Sequence, residues 1–316
     1  MKLGELRKLA QAMPELQGAQ LQQWVQTQLV EMGLDPNAIY QELEMTSRYV
    51  DTHRDVSWSN SQVQLHSHTF YELLYCCNSC GAEYMVGSER YRLQRGDILF
   101  VPPGVSHRPL LPENMAEAYE RYVLWLSPEF LELYAATFPA QLSRMKRQAD
   151  LLRTAGTPWE SIGAQFAAGV SEAEQQKDGW ESAVIGSTLL LLTQLRRATL
   201  ERSVYTPAAE KPVLLDQLAA YVEKHYAEPI NLNHIAKRYF VSVSTVTHLF
   251  KDKLGVSFYR YVTQRRLIAA KTLIEKGVSM QSIAPKLGFQ DYSGFYRAFK
   301  QEYGISPRQY KDLCQR

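Results

Sequence analysis

The sequence predicts an α+β multidomain protein: a β-barrel with flanking helices, followed by an all-α domain that contains two helix-turn-helix motifs. Three observations carry this. From about Val50 to Leu126, short β-branched and aromatic runs alternate with Gly, Asn, Ser and Pro, the pattern of an antiparallel barrel or sandwich. After Lys211 the apolar residues recur at helical spacing, and one stretch occurs twice. Charge divides at the same place. Lys211 to Arg316 holds 17 Lys+Arg against 8 Asp+Glu, a net of +9, whereas the preceding residues hold 18 against 25, a net of −7. A basic module joined to an acidic one implies nucleic acid or an anionic surface as the partner of one half only.

Taken in order, residues 1–48 read as a helical extension, because "ELRKLAQAM" and "LQQWVQTQLVEMG" space their apolar residues by three and four. Residues 49–202 hold the barrel strands "VQLHSHTFYELLYCC", "AEYMVGSERYRL", "GDILFVPPG" and "RYVLWL", then a return to helix from Ser127. The last helix of this part, around "WESAVIGSTLLLLTQLRRATLE", is apolar on more than one face. A second subunit would cover the excess, so a homodimer is expected. Residues 203–212 lack apolar periodicity and carry two prolines, which marks a linker. Residues 213–314 form the basic helical domain.

The beginning, "MKLGELRKLAQAMPELQGAQ", has no apolar signal core. The most apolar run, Ala183 to Leu192, has ten residues, half of the roughly 20 that a membrane span needs. A cytoplasmic protein without membrane contact is expected. Three of the four cysteines are clustered, which is no disulfide framework.

In the basic domain, "IAKRYFVSVSTVTHLFKDKLGVSFYRYV" from Ile235 is matched by "IAPKLGFQDYSGFYRAFKQEYGISPRQYK" from Ile283. Phe250, Gly255, Ser257 and Tyr261 recur 49 residues later as Phe299, Gly304, Ser306 and Tyr310. The two isoleucines are 48 apart, so the second copy has one extra residue between its helices. In the second helix of copy one, Val246, Leu249 and Phe250 make the inward stripe, leaving Ser244, Thr245, Thr247, His248 and Lys251 outward. In copy two, Phe295 and Phe299 are inward, with Tyr292, Ser293, Tyr296, Arg297 and Lys300 outward. Small polar, aromatic and basic groups on such a helix suit a DNA major groove, where hydroxyls, imidazole and guanidinium meet base edges and lysines meet phosphates. A connecting helix over about Ser257 to Lys276 would span roughly 30 Å. That is close to the spacing of about 34 Å between successive major grooves on one DNA face.

These stretches resemble the DNA-binding domain of AraC/XylS-type transcription regulators over roughly a third of the chain. The resemblance implies seven helices, an asymmetric site on double-stranded DNA, and activation through contact with RNA polymerase. By position, the family's contacts fall on Ser244, Thr247 and His248, and on Tyr292, Ser293, Tyr296 and Arg297. Two positions depart from the pattern. Pro285 stands inside a short helix, where its ring forfeits a hydrogen bond, and Gly294 replaces a residue that is commonly larger.

In the acidic part, His66, His68 and Glu72 have the spacing H-x-H-x3-E, and "GDILFVPPGVSH" ends on His107. Both stretches resemble cupin motifs, which makes the barrel cupin-like. The resemblance implies a ligand set of His66, His68, Glu72 and His107 for a divalent metal. Three imidazoles and a carboxylate suit Mn, Fe, Ni or Zn. AraC-type regulators commonly use such a barrel to bind a small-molecule effector, often a sugar. The same four side chains, with Tyr75, Tyr84 and Trp125, then line an effector pocket, and no catalytic residue is assigned. A metal-dependent cupin enzyme with a helical appendage is the competing reading, and a metal- or redox-sensing regulator is another. Cys77 and Cys80 have the C-x-x-C spacing, but they fall where a strand enters a turn, with no second pair to complete a zinc site.

Overall fold

A computed structural model describes residue 27 and residues 45–58, 65–138, 150–201 and 212–314. The expected N-terminal helical extension, apart from its last few residues and residue 27, and the linker, apart from Pro212, lie outside this range. The chain forms two compact units, which are taken separately.

The first unit is a barrel of two antiparallel sheets. The strands are β1 (Val50–Ser57), β2 (Tyr71–Cys76), β3 (Glu83–Val86), β4 (Glu89–Arg92), β5 (Asp97–Val101), β6 (His107–Leu110), β7 (Tyr119–Leu126) and β8 (Asp150–Arg153). One sheet has the order β1-β7-β2-β5-β8 and the other β4-β3-β6. Strand β8 is an addition to the expected run of helices from Ser127. It is a four-residue edge strand, too short for periodicity to reveal, and is held by Arg153. That guanidinium donates to both oxygens of buried Asp97 at 2.8 Å. The expected first strand is also shorter, since His66 lies on an isolated bridge to His107 and β2 begins at Tyr71.

Helices α1 (Pro128–Thr137), α2 (Ile162–Gln175) and α3 (Trp180–Leu200) cover the outer face of the larger sheet. Ser127 caps α1 by accepting from the Phe130 amide, with Pro128 at the first helical position. The core here joins Val50, Leu73, Tyr75, Phe100, Leu124 and Leu126 to Phe166 of α2 and to Val184, Leu191, Leu192 and Leu195 of α3. On α3, Leu190 and Leu200 stay exposed, in keeping with the apolar excess read from the sequence.

Tyr75 belongs to this core and not to the barrel interior, which corrects its expected place among effector contacts. Its ring packs on Phe166 at 5.3 Å, and a Cβ at Gly163 of α2 would lie 2.3 Å from its hydroxyl oxygen. We therefore expect Gly163→Ala to cost about 1–3 kcal/mol in urea denaturation. The double variant Gly163→Ala/Tyr75→Ala should show a strong favourable coupling, which additive effects would contradict.

The second unit contains most of the seven helices that follow Pro212 among the described residues: α4 (Leu214–His225), α5 (Leu232–Arg238), α6 (Val243–Leu254), α7 (Phe258–Glu275), α8 (Met280–Lys286), α9 (Tyr292–Tyr303) and α10 (Pro307–Cys314). The N-terminal part of α4 and the four residues Asp252–Gly255 cluster with the barrel unit. The two helix pairs are α5–α6 and α8–α9, joined by α7. Four residues separate the first pair and five the second, so the expected extra residue does sit in the second turn. Pro285 is the penultimate residue of α8, so its missing N–H forfeits one bond at the frayed end and leaves the helix start intact.

The second pair is fixed by close approach. Gly288 has φ +75, and a Cβ there would lie 2.6 Å from the Ala227 carbonyl oxygen. Arg266 of α7 clamps the same place. It donates to the Tyr226 and Glu228 carbonyls at 2.7 and 2.9 Å, and its guanidinium lies over the Phe289 ring. The corresponding position in the first pair is Phe240, which has φ +56 and is 96% exposed. Ser257 and Asp291 cap α7 and α9 through the Arg260 and Gly294 amides.

Candidate functional site

Two sites were expected, and each is assembled by the elements just given. In the barrel, residues two apart on a strand share a face. Glu72, Leu74 and Cys76 of β2 are registered opposite Trp125, Val123 and Arg121 of β7, and these opposite Asp51, His53 and Asp55 of β1. Tyr84 and His107 lie on the facing sheet, paired with Pro109 and Val86. Together they face the barrel interior.

The loop before β6 delivers His107. Val105 N–H donates to the Pro102 carbonyl across Pro103-Gly104, and Gly104 (φ +77) donates its own N–H to the His68 carbonyl at 2.8 Å. This is a type II turn, with glycine where φ must be positive. His66 and His107 exchange both backbone hydrogen bonds, at 3.1 and 2.9 Å. The His66 and His107 ring centroids are 4.2 Å apart, and those of His68 and His107 4.8 Å. One ligand atom each from His66, Glu72 and His107 lies within 4.8 Å of the others. The structure thus brings His66, His68, Glu72 and His107 together.

Its proton arrangement is unusual. The Nδ1 atoms of His68 and His107 lie 2.7 and 2.8 Å from the carbonyl oxygens of Phe70 and Val105. A carbonyl accepts only, so both Nδ1 atoms carry hydrogen, and on each ring Nε2 is the atom left to meet the carboxylate or a cation. Those Nε2 atoms point at Glu72 Oε2, at 3.6 and 3.1 Å. All three atoms are buried without a hydrogen-bond partner among the described residues. Glu72 Oε1 accepts from the Trp125 indole at 2.9 Å. Burial raises the Glu72 carboxyl, but the His107 and His68 contacts outweigh it and hold the group well below its ordinary value. Burial lowers the His68 imidazole, which opposes a proton there. An ionised carboxylate 3.1 Å from an imidazole Nε2 is stabilised by a positive charge at that contact, either a second proton on the ring or a bound cation.

Trp125 is also enclosed by Phe70 at 4.7 Å and by the edge of His53 at 4.8 Å. Tyr84 stacks 6.2 Å from His107 and is fully buried. Both aromatics thus sit in the interior. His53, Phe70, Tyr119 and Arg121 do so as well, and they were missed. The signal was present in the alternation of His53, Asp55 and Ser57, and of Tyr119, Arg121, Val123 and Trp125.

The cysteines lie at the far end of β2. The Asn78 side chain donates to the Ala118 carbonyl and accepts from the Glu120 amide, so Cys77-Asn-Ser-Cys80 is a pinned turn. Cys76, Cys77 and Cys80 are free thiols. Burial pushes Cys76 far up, Cys77 up to about 11, and Cys80 up as well. We expect iodoacetamide to label native Cys77 slowly at neutral pH, with a rate that climbs toward pH 11, and to label it fast in urea at pH 8. Rapid native labelling at pH 7 would contradict this assignment.

In the second unit, Val246 and Phe250 of α6, and Phe295 and Phe299 of α9, are fully buried. Ser244, Thr245, Thr247, His248 and Lys251 are exposed on α6, and Tyr292, Ser293, Tyr296, Arg297 and Lys300 on α9. Leu249, expected inward, is half-buried. Two hydroxyls of α6 are already engaged. Thr245 Oγ1 meets the Ser242 hydroxyl at 2.8 Å, and Thr247 donates to the Val243 carbonyl at 2.9 Å. Arg297, by contrast, has no partner among the described residues. Helix α7, of 18 residues, holds the two pairs about 27 Å apart along its axis. It is tied to α9 where Gln264 and Arg260 both donate to Glu302.

A ligand-binding barrel followed by paired helix-turn-helix units is the build of an effector-responsive transcription regulator. Two family models match, the AraC-like ligand binding domain over residues 55–191 and a helix-turn-helix domain over residues 235–312. The chain belongs to the AraC family. It is 27% identical over 246 residues to the HTH-type transcriptional activator RhaS of Salmonella arizonae, covering 77% of this chain and 85% of that protein. The RhaS of Salmonella typhimurium is equally similar. Among solved structures, the C-terminal domain of AraT from Geobacillus stearothermophilus matches at 28% identity, covering 31% of this chain and 82% of that one, with a TM-score of 0.30. ToxT from Vibrio cholerae matches at 13% identity, covering 84% of this chain and all of that one, with a TM-score of 0.36. The similar curated proteins are transcriptional regulators. No helix among the described residues is long and apolar enough to cross a membrane.

Proposed function

We propose that the protein is a transcriptional activator in the cytoplasm, not an enzyme, whose barrel binds a small metabolite and whose α6 and α9 read an asymmetric operator. The observation that carries this is the pair of equivalent helices, each with an aromatic stripe buried and a polar, basic face open. Ser244, His248, Tyr292, Tyr296 and Arg297 would meet base edges and Lys251 and Lys300 phosphates, a reading that their exposure on α6 and α9 supports. Thr247, whose hydroxyl donates to the Val243 carbonyl, offers lone pairs and a methyl group only, and Thr245 shares its hydroxyl with Ser242. Ligand binding would act by favouring one of two states of the protein on DNA, which requires unequal affinity for the two. The exposed Leu190 and Leu200 of α3 support a homodimer, and activation implies contact with RNA polymerase. Footprinting with the purified protein upstream of its own gene and its neighbours is the test. A protected site whose affinity falls steeply with salt is expected. Uniform weak binding to all DNA would sink the reading.

A divalent transition metal fits the Glu72 cluster, because a cation there gives the orphaned atoms His107 Nε2 and Glu72 Oε2 a shared partner. His66, Glu72 and His107 would hold it with His68 beside them, and the carbonyls of Phe70 and Val105 would fix the ring tautomers. When bound, the metal would supply a Lewis-acidic anchor for an oxygen-bearing ligand. Elemental analysis after purification without chelators should find about one equivalent, reduced to background in Glu72→Gln. Background metal in the parent protein would reject this reading.

A further inference from the structure

Beyond the histidine cluster, the barrel interior holds a second group of polar side chains with no structural use for all of their capacity. Arg121 of β7 lies four residues from Trp125 on the same strand face. Its side chain is 4% exposed, while that of its counter-charge, Asp55, is 24% exposed. The guanidinium donates to Asp55 Oδ2 at 3.0 Å and to the Ser57 hydroxyl at 3.1 Å. Its carbon lies 4.9 Å over the Tyr119 ring. The Tyr119 hydroxyl is fully buried and has no hydrogen-bond partner among the described residues, and neither has His53 Nε2. Burial raises Tyr119 well above its ordinary value, so it keeps its proton and is a donor without an acceptor.

Leaving such a hydroxyl unpaired costs about 1–3 kcal/mol. The same shape could be filled by phenylalanine at no such cost, so the hydroxyl is open to a partner that is not among the described residues. Among the described residues, the carboxylate that contacts the buried cation directly, Asp55, lies on its more exposed side. Surplus donors beside a buried positive charge call for a ligand rich in acceptors and carrying negative charge. Tyr84 continues the interior surface from there to His107.

We infer that Arg121 and Tyr119 form a carboxylate subsite inside the barrel, so that the effector is a small hydroxy acid, a sugar acid being one example, and not a neutral sugar. Its carboxylate takes the Tyr119 hydroxyl and the Arg121 guanidinium, and its hydroxyl-bearing end extends along Tyr84 toward the histidine cluster. This rests on the reading of the barrel as the sensor.

The test is isothermal titration of the full-length protein with gluconate, galacturonate and lactate, each beside its neutral counterpart, glucose, galactose and lactamide. At least one acid should bind where its counterpart does not. Tyr119→Phe, which keeps the ring, should weaken that binding about tenfold or more. Arg121→Lys should abolish it while circular dichroism and thermal melting show a folded protein. Binding of the neutral compounds with the acids inert would overturn the inference. So would acid binding unchanged in Tyr119→Phe, or no binding of any acid. Footprinting of the parent protein separates the two readings: an intact operator footprint without acid binding rejects the carboxylate subsite alone.

Discussion

Gly288→Val is expected to unfold the second helix pair or to cost more than about 3 kcal/mol. Two penalties add at this position. With φ +75, any side chain meets the left-handed strain that costs about 1–2 kcal/mol. Its Cβ would also stand 2.6 Å from the Ala227 carbonyl oxygen and 3.0 Å from the carbonyl carbon, and neither can yield without moving the turn between α4 and α5. That turn is held by Arg266 through the Tyr226 and Glu228 carbonyls, so relaxation would sacrifice both bonds. Gly288→Ala should show most of the same loss. Urea denaturation of the full-length protein measures it, and a change below about 1 kcal/mol would show that the close approach does not exist in solution.

Arg297→Ala should weaken operator binding by about 1–3 kcal/mol and relax base preference at one position. The side chain is exposed on α9 with no partner among the described residues, while the stripe that anchors the helix, Phe295 and Phe299, lies on its other side. The fold should therefore be unaffected. Gel shifts on the operator and on single-base variants give both quantities, with melting temperature as the control. Lys300→Ala should instead weaken all sequences alike and reduce the salt dependence. Unchanged affinity in Arg297→Ala would remove α9 as a reader.

Much of this was legible because it is written in spacing. The 48- and 49-residue offsets between the helix pairs located both turns and the inserted residue. The H-x-H-x3-E stretch and the Pro-Pro-Gly turn located the histidine cluster. What escaped was written in phase. Strand β2 is covered on both faces, by helices on one and by the interior on the other, so all but its first residue is buried. A strand with no exposed face shows no polar alternation to orient it. Tyr75 was thus placed on the wrong side, one residue out of phase with Leu74 and Cys76. The Arg121 group escaped for a related reason, because "YERYVLWL" carries polar residues on both faces and only its register with β1 reveals which arginine is enclosed. Strand β8 could not be read at all from four residues that pair only with a sequence-distant neighbour.

The two inter-helix turns have been left with different evolutionary freedom. At Gly288 the left-handed backbone is sealed by the Ala227 carbonyl, so the position is closed to every other residue. At Phe240 the backbone adopts nearly the same conformation but faces open water, so the only toll is torsional, about 1–2 kcal/mol, and Gly, Asn or Asp would meet it more easily than the resident aromatic ring. One half of a duplicated motif has become a locked joint, while the other remains a place where sequence can drift, and where a new surface can be tried without disturbing the fold beneath it.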